Sequence, residues 1–455
     1  MMSIGEAALA IGGRVRGQEV RFASVSTDSR SIESGALFVA LRGERYDGHE
    51  FIAAAKERGA VAAMVSEASG DAMAAHGVSC ITVDDTRLAL GRLAAHWRAK
   101  FSIPLVVVAG SNGKTTVKEM IAAILRAHFG AQATLATQGN LNNDIGLPMT
   151  LLRLRSEHRA AVIEIGMNHP GETAYLAGIA RPTVALVNNA QREHQEFMNG
   201  VDAVAREHGS ALAALPFDGT AVINADDAYA PYWRSLVGSN QIRDFGIEHA
   251  AAVSGRYALS DFSSEIVLSA PEGSIEFKLQ MAGLHNVCNA VGAAAGATAA
   301  GASLPMVARG LSGFTAPKGR LQVQRGQGGA VVVDDTYNAN PDSVRAAIEV
   351  LRKLPGRRIL VLGDMGEVGE LGEVFHRETG HYAAQAGLDE LLAIGDLAVH
   401  AHTEFGAGGV WYARIEDLLQ DVVKKDVVGT SILVKGSRFM RMERVVSALV
   451  GREQH

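Results

Sequence analysis

Val106-Val-Val-Ala-Gly110-Ser-Asn-Gly113-Lys114-Thr115-Thr116 is the stretch whose reading decides the fold. An apolar, β-branched run from Leu105 to Ala109 reads as a buried strand, and Val117, Met120, Ile121, Ile124 and Leu125 fall on one face of a following helix. Between them lies a glycine turn. Glycines let backbone N–H groups converge on phosphate oxygens, and a helix amino terminus adds about half a positive charge. Lys114 then serves as the cation for β and γ phosphates and Thr115 as a hydroxyl ligand for Mg²⁺. The spacing Gly-x-x-Gly-Lys-Thr is two residues shorter than the common phosphate-binding loop. Gly110, Ser111, Asn112, Gly113, Lys114, Thr115 and Thr116 are therefore the first nucleotide-binding candidates.

Outward from this loop, short β-branched runs alternate with amphipathic stretches, the pattern of parallel α/β sheets. At about 150 residues per domain, 455 residues predict roughly three domains. The expected partition is 1–100, 101–315 and 316–455, with a break at Phe101-Ser-Ile-Pro104 and another near Ala316-Pro-Lys-Gly-Arg320. In the middle block, residues 265–270, a turn at Pro271 to Ser274 and residues 275–280 alternate at period two and read as a hairpin appended to the parallel sheet. The last block repeats strand and helix without a GxGxxG fingerprint, a Rossmann-like topology.

Composition removes several classes of function. Lys plus Arg number 43 against 49 Asp plus Glu, a net charge of −6 with no block of like charges. This argues against a general nucleic-acid or membrane-surface binder. The two cysteines, Cys80 and Cys288, have neither metal nor disulfide spacing, which fits a reducing compartment. The first residues carry no charged start followed by an apolar stretch, so cytoplasmic residence is expected. The Ala/Gly-rich segment 290–304 is too short for a membrane span and reads as a packed core helix, so no membrane insertion is expected.

Three further strands lead into chemistry. Ala161-Val-Ile-Glu164 places a lone acid at the end of an apolar run, where burial is costly without a cation or donor. Ala185-Leu-Val-Asn-Asn-Ala-Gln-Arg-Glu-His194 follows another. Val333-Asp334-Asp335 closes a third, at the end of a parallel strand where α/β sheets present ligand sites.

The shortened loop, the Glu164 strand, His194, the His285-Asn286-Val-Cys-Asn289 segment and Lys318-Gly-Arg320 together resemble the ATP-dependent Mur ligases and the related folylpolyglutamate synthetases. The resemblance covers essentially the whole chain. It implies a three-domain α/β architecture: an amino-terminal UDP-sugar-binding domain, a central ATPase-like parallel sheet and a carboxy-terminal Rossmann-like domain. It also implies that Lys114, Glu164 and His194 are catalytic, and that Thr115, Glu164 and His194 hold Mg²⁺. By the same resemblance Asn289 is expected where adenine is held and Arg320 at the nucleotide phosphates, and Asp335, at its strand's end, is a candidate nucleotide contact.

Segments at both ends are similar to the branch of the family that adds the terminal dipeptide. They are Val25 to Arg30, Asp47 to Phe51, Thr137 to Pro148, Asp335 to Pro341, Gly363 to Glu367 and Leu433 to Arg438. The implied reaction joins D-alanyl-D-alanine to UDP-N-acetylmuramoyl-tripeptide with ATP and Mg²⁺, in a monomer. The implied substrate contacts are Ser29, Arg30, Asp47, His49, Asn140, Asn143, Asn338, Asn340 and Lys435. A ligase adding the third peptide residue and a nucleotide-binding regulator remain alternatives. One departure stands out. Many Mur ligases bridge their magnesium ions with a carbamoylated lysine, yet no lysine occurs between Lys118 and Lys278, and His208 stands near that position as a further metal-ligand candidate.

Overall fold

The computed structural model describes residues 1–69 and 77–451. At its centre lies a six-stranded, wholly parallel sheet in the order Gln241–Ile242, Thr220–Ile223, Val184–Val187, Leu105–Ala109, Ala160–Glu164, Thr134–Ala136. Strand order reverses at Leu105–Ala109, so the loop after it opens at the crevice between two diverging connections, where such sheets bind ligands. Both faces of the sheet are covered, which explains the unbroken apolar runs. Val106 and Val108 pack with Met120, Ile121 and Ile124 of the helix Lys114–Phe129 and with the helix Leu284–Ala299. Leu105 and Val107 face the opposite way, into a core that continues through Leu90, Leu93 and Trp97 to Leu37, Val39 and Met64 of the amino-terminal sheet.

That amino-terminal sheet has five strands in the order Arg14–Arg16, Cys80–Val83, Ala62–Ser66, Ala36–Val39, Ser24–Ser26, with only the first pair antiparallel. The helix Thr86–Arg98 leads from it to the central sheet, capped at its start by the Asp85 carboxylate. Gly91 of this helix lies against Tyr175 and Ile179 of the helix Glu172–Ala180, a contact a side chain would crowd, so the two helices pack closely.

The carboxy-terminal sheet has six strands in the order Gln322–Arg325, Val331–Asp335, Thr430–Lys435, Arg357–Gly363, Glu390–Ile394, Gly409–Tyr412, with the first antiparallel. Its strands Val331–Asp335 and Thr430–Lys435 carry Asp335 and Lys435 at register-matched ends.

One sequence expectation is corrected. The strands Ser264–Ala270 and Gly273–Leu279 do form a hairpin, but they join Phe245–Gly246 and Val253–Leu259 in a separate four-stranded sheet rather than extending the parallel one. Ile266, Leu268 and Phe277 bury their apolar face in the core shared with Val291 of the helix Leu284–Ala299. Among the described residues, no helix is long and apolar enough to cross a membrane.

Candidate active site

Gly113 precedes the helix Lys114–Phe129 with φ +81°, and a Cβ there would lie 2.5 Å from Asn289 Oδ1. Glycine is thus required twice, by backbone conformation and by the close approach of a second helix. The loop is braced from the next strand: Ser111 N–H donates to Asn189 O at 3.0 Å, and Asn112 N–H to Asn189 Oδ1 at 2.8 Å. Asn188 Nδ2 donates to Asn112 O at 2.8 Å and to Asn289 Oδ1 at 3.1 Å. Asn289 therefore reaches the loop through Asn188. The Lys114 ammonium folds back on its own loop, donating to Gly110 O at 2.5 Å and Ser111 O at 3.2 Å, and to Glu193 Oε2 at 3.0 Å.

Glu164 is buried at the end of its strand. Its Oε1 accepts from Asn142 Nδ2 at 2.7 Å, while Oε2 is buried with no hydrogen-bond partner. Among Asn140, Asn142 and Asn143, it is Asn142 that reaches this acid. Asn143 Oδ1 instead accepts from Gly146 N at 2.8 Å and Ile145 N at 3.3 Å, fixing the start of the helix Gly146–Leu151. Asn140 lines the cavity.

His194 holds a left-handed backbone, φ +49°, which a non-glycine residue adopts at an energetic cost and which favours a functional reading. Its Nδ1 lies 2.7 Å from Glu367 Oε2, too far out of line for a hydrogen bond, and its Nε2 lies 3.6 Å from Glu193 Oε2. The His194 side chain holds the Glu367 carboxyl below its ordinary range.

His208 does not line the cavity. It is buried behind Glu193, with Nε2 2.6 Å from Glu193 Oε1. Sequence reasoning missed Glu193 itself, which is buried between Lys114 and His208. Its signal was weak, since Glu193 lies in the loop after the strand Val184–Val187 rather than at a strand end as Glu164 does. Burial opposes its ionisation, but Lys114, His208 and His194 together hold its carboxyl well below the usual range.

The carboxy-terminal block closes over this floor. Arg320 donates to Thr115 Oγ1 at 2.9 Å and stacks on the Tyr337 ring at 4.1 Å. Asn340 caps the helix Pro341–Leu351 and donates through Nδ2 to Asn112 Oδ1 at 2.9 Å. Lys435 pairs with Asp335 at 2.6 Å and donates to Asn338 O at 2.9 Å. These contacts occupy Asp335 with Lys435 and with Leu321 N at 3.2 Å. Arg192, also missed, clamps the two blocks through Asp342 at 2.6 Å and Glu378 at 2.7 Å.

A cavity of about 1120 Å³ lies between these elements, with Lys114, Glu164, His194, Asn289, Arg320 and Lys435 in its wall. Among the described residues of the amino-terminal block, Arg87 and Leu88 reach it, and Arg87 pairs with Asp144 at 2.8 Å. Burial sets two further groups in this wall, pushing His285 down to about 4 and the Cys288 thiol up to about 12.

The remaining sequence candidates stand apart from the cavity. Arg30 is exposed and bonds Asp28 at 2.8 Å, and Ser29 offers its backbone oxygen to Arg58 at 3.0 Å. His49 Nδ1 lies 2.5 Å from Asp47, and its Nε2 accepts from Ser66 N–H at 3.0 Å. Both ring nitrogens are thereby engaged within the fold, and Asp47 also accepts from Arg42 at 2.7 Å. Asp47 and His49 thus build and rigidify this turn through their own side chains.

The residues in the wall suit Mg²⁺ held jointly with a phosphate. A buried, unpartnered carboxylate oxygen on Glu164 and the Thr115 hydroxyl are hard donors. No group of three His, Cys, Asp or Glu side chains able to hold a metal alone occurs among the described residues. Mg²⁺ commonly takes one or two carboxylates and completes its shell with water and substrate phosphates.

Comparison with known proteins agrees with this geometry. Residues 21–98 match the Mur ligase family catalytic domain, 108–297 the Mur ligase middle domain and 319–438 the Mur ligase glutamate ligase domain. The chain is 40% identical over 444 residues to UDP-N-acetylmuramoyl-tripeptide–D-alanyl-D-alanine ligase of Escherichia coli (strain K12), covering 96% of each. A crystal structure of MurF from Acinetobacter baumannii superposes with TM-score 0.91 at 35% identity, covering 99% of each chain. MurF of Thermotoga maritima in complex with ADP gives 0.82 at 26%, covering 95% of this chain and 97% of that one. The chain belongs to the Mur ligase family of ATP-dependent, ADP-forming ligases.

Proposed function

We propose that this protein joins D-alanyl-D-alanine to UDP-N-acetylmuramoyl-tripeptide in peptidoglycan precursor synthesis, acting as a cytoplasmic monomer. The observation that carries the reading is the reach of Arg320, from the start of the carboxy-terminal block, to Thr115 on the phosphate loop, in the same cavity wall as the unpartnered oxygen of Glu164. Three elements distant in sequence there face one place where a triphosphate, a carboxylate and an amine can be gathered.

The terminal carboxylate of the tripeptide attacks the γ-phosphorus of ATP and ADP departs, leaving an acyl phosphate. The dipeptide amine then attacks the acyl carbon, phosphate leaves and the amine gives up a proton. No protein nucleophile is needed, because proximity and charge neutralisation lower both barriers. Lys114 and Arg320 carry positive charge to the phosphates, and the amino terminus of the helix Lys114–Phe129 adds its dipole. Thr115 and Glu164 would hold Mg²⁺, which when bound would supply charge neutralisation for the transferred group.

The partition 1–100, 101–315 and 316–455 gives each block a role: sugar binding, nucleotide binding and closure. Ser29 and Arg30, on a turn held by the Asp28 carboxylate, and Asp47 and His49, on the turn they build, meet the UDP sugar. Asn140, Asn338, Asn340 and Lys435 face the cavity from the two larger blocks and form the peptide and dipeptide side. Closure of these blocks excludes water, which would hydrolyse an acyl phosphate.

Phosphate release is measured with UDP-sugar tripeptide and ATP, with D-alanyl-D-alanine present or absent. Release that requires the dipeptide and yields the amide product is expected. Release supported equally by a single amino acid added to a UDP-sugar dipeptide would transfer the assignment to the third-residue ligases.

A further inference from the structure

Glu193 occupies a place the ligation chemistry leaves without a role. Its carboxylate is 6% exposed and directed at three nitrogen-bearing side chains: Lys114 Nζ at 3.0 Å, His208 Nε2 at 2.6 Å and His194 Nε2 at 3.6 Å. Its backbone is tied as firmly, with N–H donating to Gln191 O at 2.9 Å and its carbonyl accepting from Gln195 Nε2 at 2.9 Å. His208 is 1% exposed and fixed in the helix Gly200–Ala213, so one carboxylate oxygen has a rigid anchor. The other oxygen holds the ammonium that the phosphate loop offers to a nucleotide.

A buried carboxylate with a fixed anchor cannot turn away when a polyphosphate arrives. Nucleotide binding must draw Lys114 from this partner and place phosphate oxygens near an uncompensated negative charge. In a low-dielectric wall both effects oppose a bare polyphosphate strongly. A divalent cation arriving with the phosphates reverses the sign of the second effect.

Resting on the reading of the loop as a nucleotide site, we propose that Glu193, anchored by His208, is a positioning residue that competes with phosphate for Lys114 and makes nucleotide binding conditional on Mg²⁺. His208 thereby acts through Glu193 rather than as a ligand.

The test is ADP affinity by titration calorimetry, with Mg²⁺ and with EDTA, on the full chain. In the unmutated protein, Mg²⁺ should strengthen ADP binding at least tenfold. Glu193→Gln keeps shape and removes charge. It should tighten metal-free ADP binding about fivefold or more and shrink the Mg²⁺ ratio by the same factor. Glu193→Asp keeps the charge and should retain most of the ratio. His208→Gln, which loosens the anchor, should move the ratio in the same direction as Glu193→Gln, and it serves with Glu193→Asp if Glu193→Gln does not fold. A merely structural role would weaken binding equally with and without metal. Ratios within twofold of the unmutated protein in the folded charge-removing and anchor variants would overturn the proposal. Failure of the unmutated protein to bind ADP under either condition would instead overturn the nucleotide reading.

Discussion

The two sides of the central sheet are finished to different degrees. Toward the carboxy-terminal block, side chains cross the gap in pairs: Arg320 to Thr115, Asn340 to Asn112, and Arg192 to Asp342 and Glu378. Toward the amino-terminal block, Arg87 with Asp144 reaches the cavity wall, while Arg30, Asp47 and His49 bond within their own fold. On the proposed function, the contrast follows from what each side would bind. A triphosphate needs convergent charge from several elements. A sugar nucleotide can be gripped by a small domain whose polar turns are already built and exposed.

The contrast can be broken most severely at the loop. Lys114→Ala removes the ammonium at the phosphates and should lower dipeptide-dependent phosphate release by about 10³-fold. Near-normal release under saturating substrates would remove the loop from the chemistry. Glu164→Gln keeps the Asn142 contact but removes the charge. A fall in kcat of about 10²-fold is expected, with a higher Mg²⁺ requirement that a magnesium titration reads directly.

Acid should injure the nucleotide side through His285. Burial holds its imidazole down to about 4, below an unfolded value near 6.5. Its contribution to stability is therefore complete above about pH 6.5 and is lost as pH falls toward 4. The loss is bounded at about 3 kcal/mol by about 1.4 kcal/mol per pKa unit. His285→Asn should flatten the fall of Tm over that interval, and an unchanged pH profile would remove His285 as its source.

Arg192→Ala cuts the cross-block clamp at both Asp342 and Glu378. Partly buried charged pairs of this kind are worth on the order of 1 kcal/mol, so roughly a fivefold loss in kcat/KM is expected. Small-angle scattering should show a more open average shape, and an unchanged profile would place closure elsewhere. The smallest effect on the nucleotide side should come from Arg30→Ala. ADP affinity should move by less than about twofold while UDP-sugar tripeptide affinity falls, and a loss of both would erase the distinction between the sides.

Legibility in the sequence followed the range of the interactions. The strand Leu105–Ala109, the glycine loop and the helix Lys114–Phe129 were readable because periodicity and turn chemistry are local. The hairpin within 264–279 was readable as well, but not its sheet, because pairing with Val253–Leu259 leaves no mark in either strand alone. Among three neighbouring asparagines, Asn142 reaches Glu164 because Gly166 has no side chain. A Cβ there would lie 2.7 Å from the Asn142 amide. The absence of a central lysine was plain, yet His208 lies behind Glu193 rather than at the cavity wall. The helix Gly200–Ala213 buries that face against the loop.

By itself, the sequence determined the parallel α/β architecture, the phosphate loop and the acids and histidine that end the neighbouring strands. Hydrophobic periodicity, glycine spacing and charge in an apolar run are properties of short segments and need no partner to be recognised. Only the tertiary structure decided which of those groups meet. Lys114 is held by Glu193 from another strand loop, and Thr115 is covered by Arg320 from the segment that enters the carboxy-terminal sheet, 79 and 205 residues away. Contacts of that range are selected by how buried charges and donors find partners once the sheets have packed. No local pattern encodes that choice.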